Sequence, residues 1–257
     1  MPLVTTDAVV LHAFDYLESS RILRLATRDA GLQSVIARGA RSSNRRFGLG
    51  LDLFASGVAQ IQTRPGRELQ QLSGFDLGSA RVALSQDLER FGAASALAEL
   101  ALRFADGDEP GDFYVVLTAA LDAIAAAPHG EARDVGIAGA WHLVATLGFA
   151  PALDSCCRCH RTLDDTGVVD FSPSAGGSAC RECAAVLPRG RALPPEARAA
   201  LRAWTSGVPY PVHEGAMRRA HLRLLREFLE HHLGDGRALR AFESWEHGMG
   251  ALVGDGR

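Results

Sequence analysis

Four cysteines constrain this chain more than any other feature. They read Cys156-Cys157-Arg158-Cys159, then twenty residues, then Cys180-Arg181-Glu182-Cys183. A C-x-x-C turn aims two thiolates at one centre, and two such turns joined by a hairpin complete a tetrahedron of soft ligands, the set that zinc takes in closed structural sites. The intervening residues suit a hairpin. Val168, Val169 and Phe171 read as a strand, and Gly176-Gly177 permits a turn before the second knuckle. The expected ligands are Cys156, Cys159, Cys180 and Cys183. Cys157 reads as a bystander, and His160 as a residue that four thiolates leave unneeded. Disulfides would require an oxidising compartment. Cys156 to His160 also spells the haem-attachment string C-x-x-C-H, but the second pair would then have no role.

The N-terminus has no basic segment followed by an apolar run, and no stretch approaches the roughly 20 apolar residues of a membrane span. A cytoplasmic location is expected. The net charge of −3 argues against nucleic acid only until its distribution is read. Between Arg21 and Arg67 stand nine arginines against Asp29 and Asp52; between Arg181 and Arg226 stand nine more against three glutamates. Lysine is absent, so every cationic side chain is a planar fork able to grip phosphate bidentately or stack on a base.

The first 75 residues read as five short strands: Thr6 to His12, Ile22 to Thr27, Leu32 to Arg38, Leu51 to Thr63 and Glu68 to Phe75. Five strands in this length predict a small closed barrel, with an OB-fold the natural candidate and an SH3-like barrel not separable by periodicity. Helices follow over Ser85 to Phe104, Asp112 to Ala127 and Glu131 to Leu147, with Ser85 in the expected cap region of the first. Pro194-Pro195 opens another helix. Residues 215 to 233 form the clearest amphipathic one, with Leu222, Leu225, Phe228 and Leu229 on its apolar face and Arg219, Arg223 and Arg226 sharing a side. A final short helix is expected after Arg237. The expected architecture is α+β: a five-stranded OB-fold barrel over 1–80, a helical domain over 81–153 and 188–257, and a zinc ribbon over 154–187 inserted in it.

Ala37-Arg38-Gly39-Ala40-Arg41, Arg45-Arg46, the apolar Leu51-Asp52-Leu53-Phe54, the opening Asp7-Ala8-Val9-Val10-Leu11 and the ribbon with Phe171, Gly176-Gly177 and Cys180 together resemble the RecO family of bacterial DNA repair and recombination mediators. The resemblance spans nearly the whole chain. It implies an N-terminal OB-fold, a helical domain and, in many members, zinc. It also implies binding of single- and double-stranded DNA, annealing of complementary strands, and partnership with RecR, with the acidic tail of single-strand binding protein (SSB) and with RecF, so that RecA loads where SSB would block it. The loop Ser42-Ser43-Asn44 departs from the family in lacking lysine, and His160 stands where a small residue is usual.

The expected chemistry is binding. Arg38, Arg41, Arg45, Arg46, Arg64 and Arg67 would neutralise phosphates. Among Phe14, Tyr16, Phe47, Phe54 and Phe75, Phe47 is the expected stacking platform, because it sits in the basic loop. The helix carrying Arg218 to Arg226 is one place for the SSB tail. No phosphate loop, G-x-S-x-G elbow or H-E-x-x-H helix occurs, so no enzyme is expected. The alternative is a zinc-ribbon interaction scaffold that does not touch DNA.

Overall fold

The computed structural model describes residues 2–42, 47, 51–105, 112–188, 190–211, 215–233 and 237–247. The chain forms two compact units, Met1–Ala126 and Ala127–Arg257.

The first unit opens with β1 (Leu3–Tyr16), β2 (Ser20–Thr27), β3 (Gly31–Ala37), β4 (Ser56–Gln62) and β5 (Leu69–Ser79). They close in the order β1-β2-β3-β5-β4, with β1 pairing back to β4 and β3 running parallel to β5. That order, with its single parallel pair, is the OB-fold arrangement and not the meander of an SH3-like barrel. Alternation fills the interior: Ala8, Val10, Leu23, Leu25, Val35, Ala37, Ala59, Ile61, Leu72 and Phe75 are buried together.

Three helices complete this unit: α1 (Val82–Gln86), α2 (Leu88–Phe104) and α3 (Phe113–Ala126). The expected single helix from Ser85 is broken at Asp87, which is extended and whose side chain accepts from the Arg90 N–H at 2.9 Å. Asp87, not Ser85, is therefore the cap, and such a cap stabilises a helix by about 1 kcal/mol. The expected strand from Leu51 is also shorter. Phe54 adopts φ 67°, its N–H donates to the Val10 carbonyl, and pairing resumes at Ser56. The bend seats the Phe54 ring against Phe91, and the Phe54 carbonyl accepts from buried Arg81, which also holds Asp122 at 2.7 Å.

The second unit holds α4 (Ala132–Thr146), β6 (Val169–Ser172), β7 (Gly177–Ala179), α5 (Arg181–Ala184), β8 (Arg191–Leu193), α6 (Pro195–Thr205), α7 (Gly215–Leu233) and α8 (Arg240–His247). The apolar face of α7 does what its spacing predicts: Leu222, Leu225, Phe228 and Leu229 are buried. Phe228 meets Trp141 of α4 and Phe171 of β6, with ring centroids 5.6 and 6.1 Å apart. Burial of each such ring contributes roughly 1.5–3 kcal/mol. Among the described residues, no helix is long and apolar enough to cross a membrane.

Candidate nucleic-acid face and metal centre

The barrel presents two adjoining clefts on its outer surface. One, about 730 Å³, lies between the β1–β2 turn and the β4–β5 loop, and its lining includes Tyr16, Leu17, Ile36, Arg38 and Arg67. The other, about 540 Å³, shares Arg67 and Glu68 and adds Arg24, Ser34 and Gln70. The β2–β3 surface between these two loops is where OB-folds take oligonucleotides. Gln70 staples the β4–β5 loop, accepting from the Arg64 N–H at 2.7 Å and donating to the Arg67 carbonyl. Across the cleft, the turn is held with Leu17 at φ 54°, leaving it 75% exposed. A branched side chain in the left-handed region is uncommon and is retained only where its surroundings impose it.

The expected DNA contacts divide on this frame. Arg38 and Arg67 come together on one cleft, and among the described residues neither forms an ion pair. Arg41 is close to Asp15 (3.5 Å), which Arg21 also approaches (3.4 Å). Arg64 sits in the exposed β4–β5 loop. Arg45 and Arg46 lie outside the described residues. Phe47 requires a correction. It is 2% exposed, because its apolar ring joins the buried barrel cluster that also holds Ala37, Leu51 and Leu72. A ring so placed cannot stack on a base. The exposed aromatics are instead Phe14 and Tyr16, at 45% and 42%.

The second site is built by two knuckles. In the first, the Cys156 N–H donates to the Arg161 carbonyl, the His160 N–H returns to the Cys156 carbonyl, and His160 takes φ 60° to close the turn. In the second, Cys180 stands at the N-terminus of α5, with the Ala184 N–H donating to its carbonyl. The hairpin of β6 and β7 brings them together, and β8 adds a third strand that the spacing did not announce. Gly177 is required there: a Cβ would lie 2.4 Å from the Ala152 carbonyl oxygen.

The ligand atoms of Cys156, Cys159, Cys180 and Cys183 all lie within 4.8 Å of one another, and the Cys159 and Cys180 sulfurs are 3.8 Å apart. A disulfide needs about 2.05 Å. A tetrahedron with metal–sulfur bonds of about 2.3 Å has edges of about 3.8 Å. The geometry is thus that of a four-thiolate metal site. Without a metal the four thiols divide unequally. Burial raises the Cys156 thiol, but the backbone amides of Cys159, Cys180 and Arg158 outweigh it and bring it down to about 6. Cys183 is pushed up to about 12 by desolvation and by sharing protons with the other three sulfurs. Cys157 stays outside the cluster, its N–H donating to the Ser178 carbonyl.

The ribbon is fastened to α6 by arginine. Arg198, 1% exposed, donates to the Asp164 carbonyl and pairs with Asp165 at 3.1 Å; Arg202 bridges Asp154 at 2.6 Å and Asp165 at 2.7 Å. The arginine side of α7 is engaged as well. Arg218 pairs with Asp134 at 2.8 Å, and Arg223 and Arg226 converge on Glu246 of α8 at 3.3 and 2.6 Å.

Comparison with known proteins agrees with this architecture. Residues 1–80 match the family described as "Recombination protein O N terminal", and residues 85–240 match "Recombination protein O C terminal". Among curated relatives, a protein named "DNA repair protein RecO" from Anaeromyxobacter sp. (strain K) is 37% identical over 250 residues, covering 94% of this chain and 96% of the relative. Proteins of the same name from Anaeromyxobacter sp. (strain Fw109-5) and Rubrobacter xylanophilus are 34% and 30% identical, covering 96% and 91% of this chain and 96% and 92% of themselves.

Proposed function

The chain belongs to the RecO family of DNA repair proteins, and from that premise we propose that it is a non-catalytic mediator. It binds single- and double-stranded DNA, anneals complementary strands and, with RecR, helps load RecA on SSB-coated DNA. The observation that carries the binding step is the meeting of Arg38 and Arg67 on one cleft of an OB-fold, neither of them ion-paired among the described residues. Such forks neutralise phosphates with little sequence preference. Arg64 lies in the same loop as Arg67 and adds to this field, as do, from the sequence alone, Arg45 and Arg46; Arg41 reaches DNA only by exchanging Asp15 for a phosphate. Annealing follows when two strands are held with charge screened and bases accessible.

On this reading residues 1–80 carry the DNA-binding barrel, 81–153 and 188–257 the helical domain, and 154–187 the ribbon. Cys156, Cys159, Cys180 and Cys183 hold one structural Zn²⁺: four sulfurs suit that ion and leave no open position for a water. The protein acts in the cytoplasm, on the nucleoid, with RecF as a further partner. For the acidic tail of SSB, the apolar cavity of about 340 Å³ lined by Phe171, Leu193, Ala197, Met217 and Leu224 is a better seat than the arginine side of α7. Arg191 is among its lining groups and is paired with Glu227, just as Arg218, Arg223 and Arg226 are paired with their own carboxylates, so it is the apolar lining that favours the cavity.

The test is the salt dependence of binding. Each phosphate contact on a single strand contributes a log–log slope of about −0.7. The double variant Arg38→Ala/Arg67→Ala should flatten the slope by about 1.4; an unchanged slope places DNA elsewhere. If the unsubstituted protein shifts neither single- nor double-stranded oligonucleotides at low salt, the mediator reading gives way to the scaffold reading.

A further inference from the structure

The pairing of β1 with β2 slips by one residue between Val10 and His12. Before the slip, Ala8 and Val10 face the core, Val10 opposite Leu25. After it, Ala13 takes the inward place, opposite Leu23, and packs on the same core. Uninterrupted alternation would put residues 8, 10, 12, 14 and 16 on one face and bury the rings among them. The bulge turns His12, Phe14 and Tyr16 to solvent instead. Bulges often re-aim side chains beside functional surfaces.

These three rings share the outer surface with the clefts. Directly opposed residues of paired strands lie on one face. Phe14 opposes Ile22, which opposes Ile36; His12 opposes Arg24, which opposes Ser34. Ile36 and Tyr16 line the larger cleft with Arg38 and Arg67, and Arg24 and Ser34 line the smaller. Two half-exposed aromatic rings beside cationic forks suit a ligand that is flat, apolar and anionic at once. Acids are present too: Glu68 lines both clefts, while Asp15 is met by Arg21 and Arg41.

Spacing identifies the form of that ligand. Alternate residues of a strand rise about 6.8 Å, and one such step on this face, from His12 to Phe14, separates ring centroids by 5.7 Å with the planes inclined at 56°. Stacked bases of a duplex are about 3.4 Å apart along each strand. One ring per base therefore fits only a strand drawn out to nearly twice the duplex rise, with its bases unpaired. Resting on the DNA-binding reading above, we propose that the outer face of β1 beyond the bulge is a stacking ladder for unpaired bases. Phe14 and Tyr16 make the barrel prefer single strands, while Arg38 and Arg67 hold the phosphates of either form.

The experiment compares the full-length, zinc-loaded protein with the double variant Phe14→Ala/Tyr16→Ala. Fluorescence anisotropy follows binding to a labelled oligothymidylate and to a blunt duplex of equal length. The variant should lose about tenfold or more in single-strand affinity, keep its salt slope, and hold duplex affinity within about twofold. Phe14→Leu/Tyr16→Leu, which keeps apolar bulk without a π face, should lose single-strand affinity in the same way. Phe14→Tyr/Tyr16→Phe should retain it. Unchanged single-strand affinity in the alanine variant, or equal losses on both ligands, overturns the ladder. Failure of the unsubstituted protein to bind either oligonucleotide is a different result, visible before any variant is made, and overturns the DNA-binding reading itself.

Discussion

Two stretches of this chain carry nine arginines each and use them in different ways. In the second, from Arg181 to Arg226, Arg191, Arg198, Arg202, Arg218, Arg223 and Arg226 are all ion-paired. Most of their acids are remote in sequence: Asp134 in α4, Asp154 and Asp165 in the ribbon, Glu227 in α7 for Arg191 and Glu246 in α8, with Glu230 the one local partner, of Arg226. In the first, from Arg21 to Arg67, Arg21, Arg28 and Arg41 are likewise matched, but Arg38 and Arg67 line a cleft in which, among the described residues, neither forms an ion pair, although Glu68 lines it too. Local charge density is therefore a poor guide to a polyanion site. What matters is which cations the fold leaves uncompensated.

The contrast can be broken in graded ways. The largest effect is expected from Cys180→Ser. Bound metal is folding free energy for so small a ribbon, so zinc should fall from one per chain toward none, by elemental analysis, and the thermal transition of the helical half should broaden. The salt slope of oligonucleotide binding should not move if that half's arginines serve structure. Retention of one zinc would mean the ligand set is wrong. Chelation at neutral pH and acidification should produce the same species, because protons compete for the four thiolates as pH falls.

Arg198→Ala comes next. It removes a nearly inaccessible guanidinium and leaves a void beneath the Asp164–Asp165 turn, so unfolding should become easier by about 2–4 kcal/mol. A denaturant midpoint unchanged within error would show that the ribbon is fastened by other contacts.

His221 supplies a pH test of similar size. It is buried against the Trp204 ring, at a centroid distance of 4.7 Å, and desolvation holds its pKa near about 4, below its usual 6.5. A depressed histidine contributes stability that is fully present above the unfolded-state pKa and is lost as pH falls toward the folded one. Between about pH 6.5 and 4 the protein should lose up to about 3 kcal/mol from this group, and His221→Phe should flatten that part of the profile. Parallel profiles would mean the imidazole is not desolvated in solution.

The smallest stability effect sharpens the comparison most directly. Glu246 is only 8% exposed and accepts from both Arg223 and Arg226. The pair Arg223→Ala/Arg226→Ala should cost about 1–3 kcal/mol by orphaning that carboxylate, yet leave the DNA salt slope intact. If the slope flattens as it should for Arg38→Ala/Arg67→Ala, the division between structural and ligand-facing arginines fails.

The metal centre was the most legible part of the molecule. Cysteine spacing fixes which sulfurs can meet, and Gly176-Gly177 marks the turn that lets them. The barrel's strand count and the apolar face of α7 were legible for a related reason: periodicity of 2 and of 3.6 reports local burial directly. Which rings face water was not. The polar loop around Phe47 predicts an exposed ring there, and nothing local to Phe14 and Tyr16 signals the bulge that turns them outward. The shortened fourth strand and the break at Asp87 were missed likewise, since Phe54 is bent by its partnership with Val10 and Arg81 rather than by its own preference.

Residue order by itself determined the thiolate set, the alternation that makes a five-stranded barrel and the helices of the second unit, all of which depend on contacts within a turn or a strand. Only the tertiary structure decided which rings face water and which arginines remain uncompensated. Both depend on partners that chain closure brings from far away, and solvation of a charge or a ring is set by what finally stands beside it.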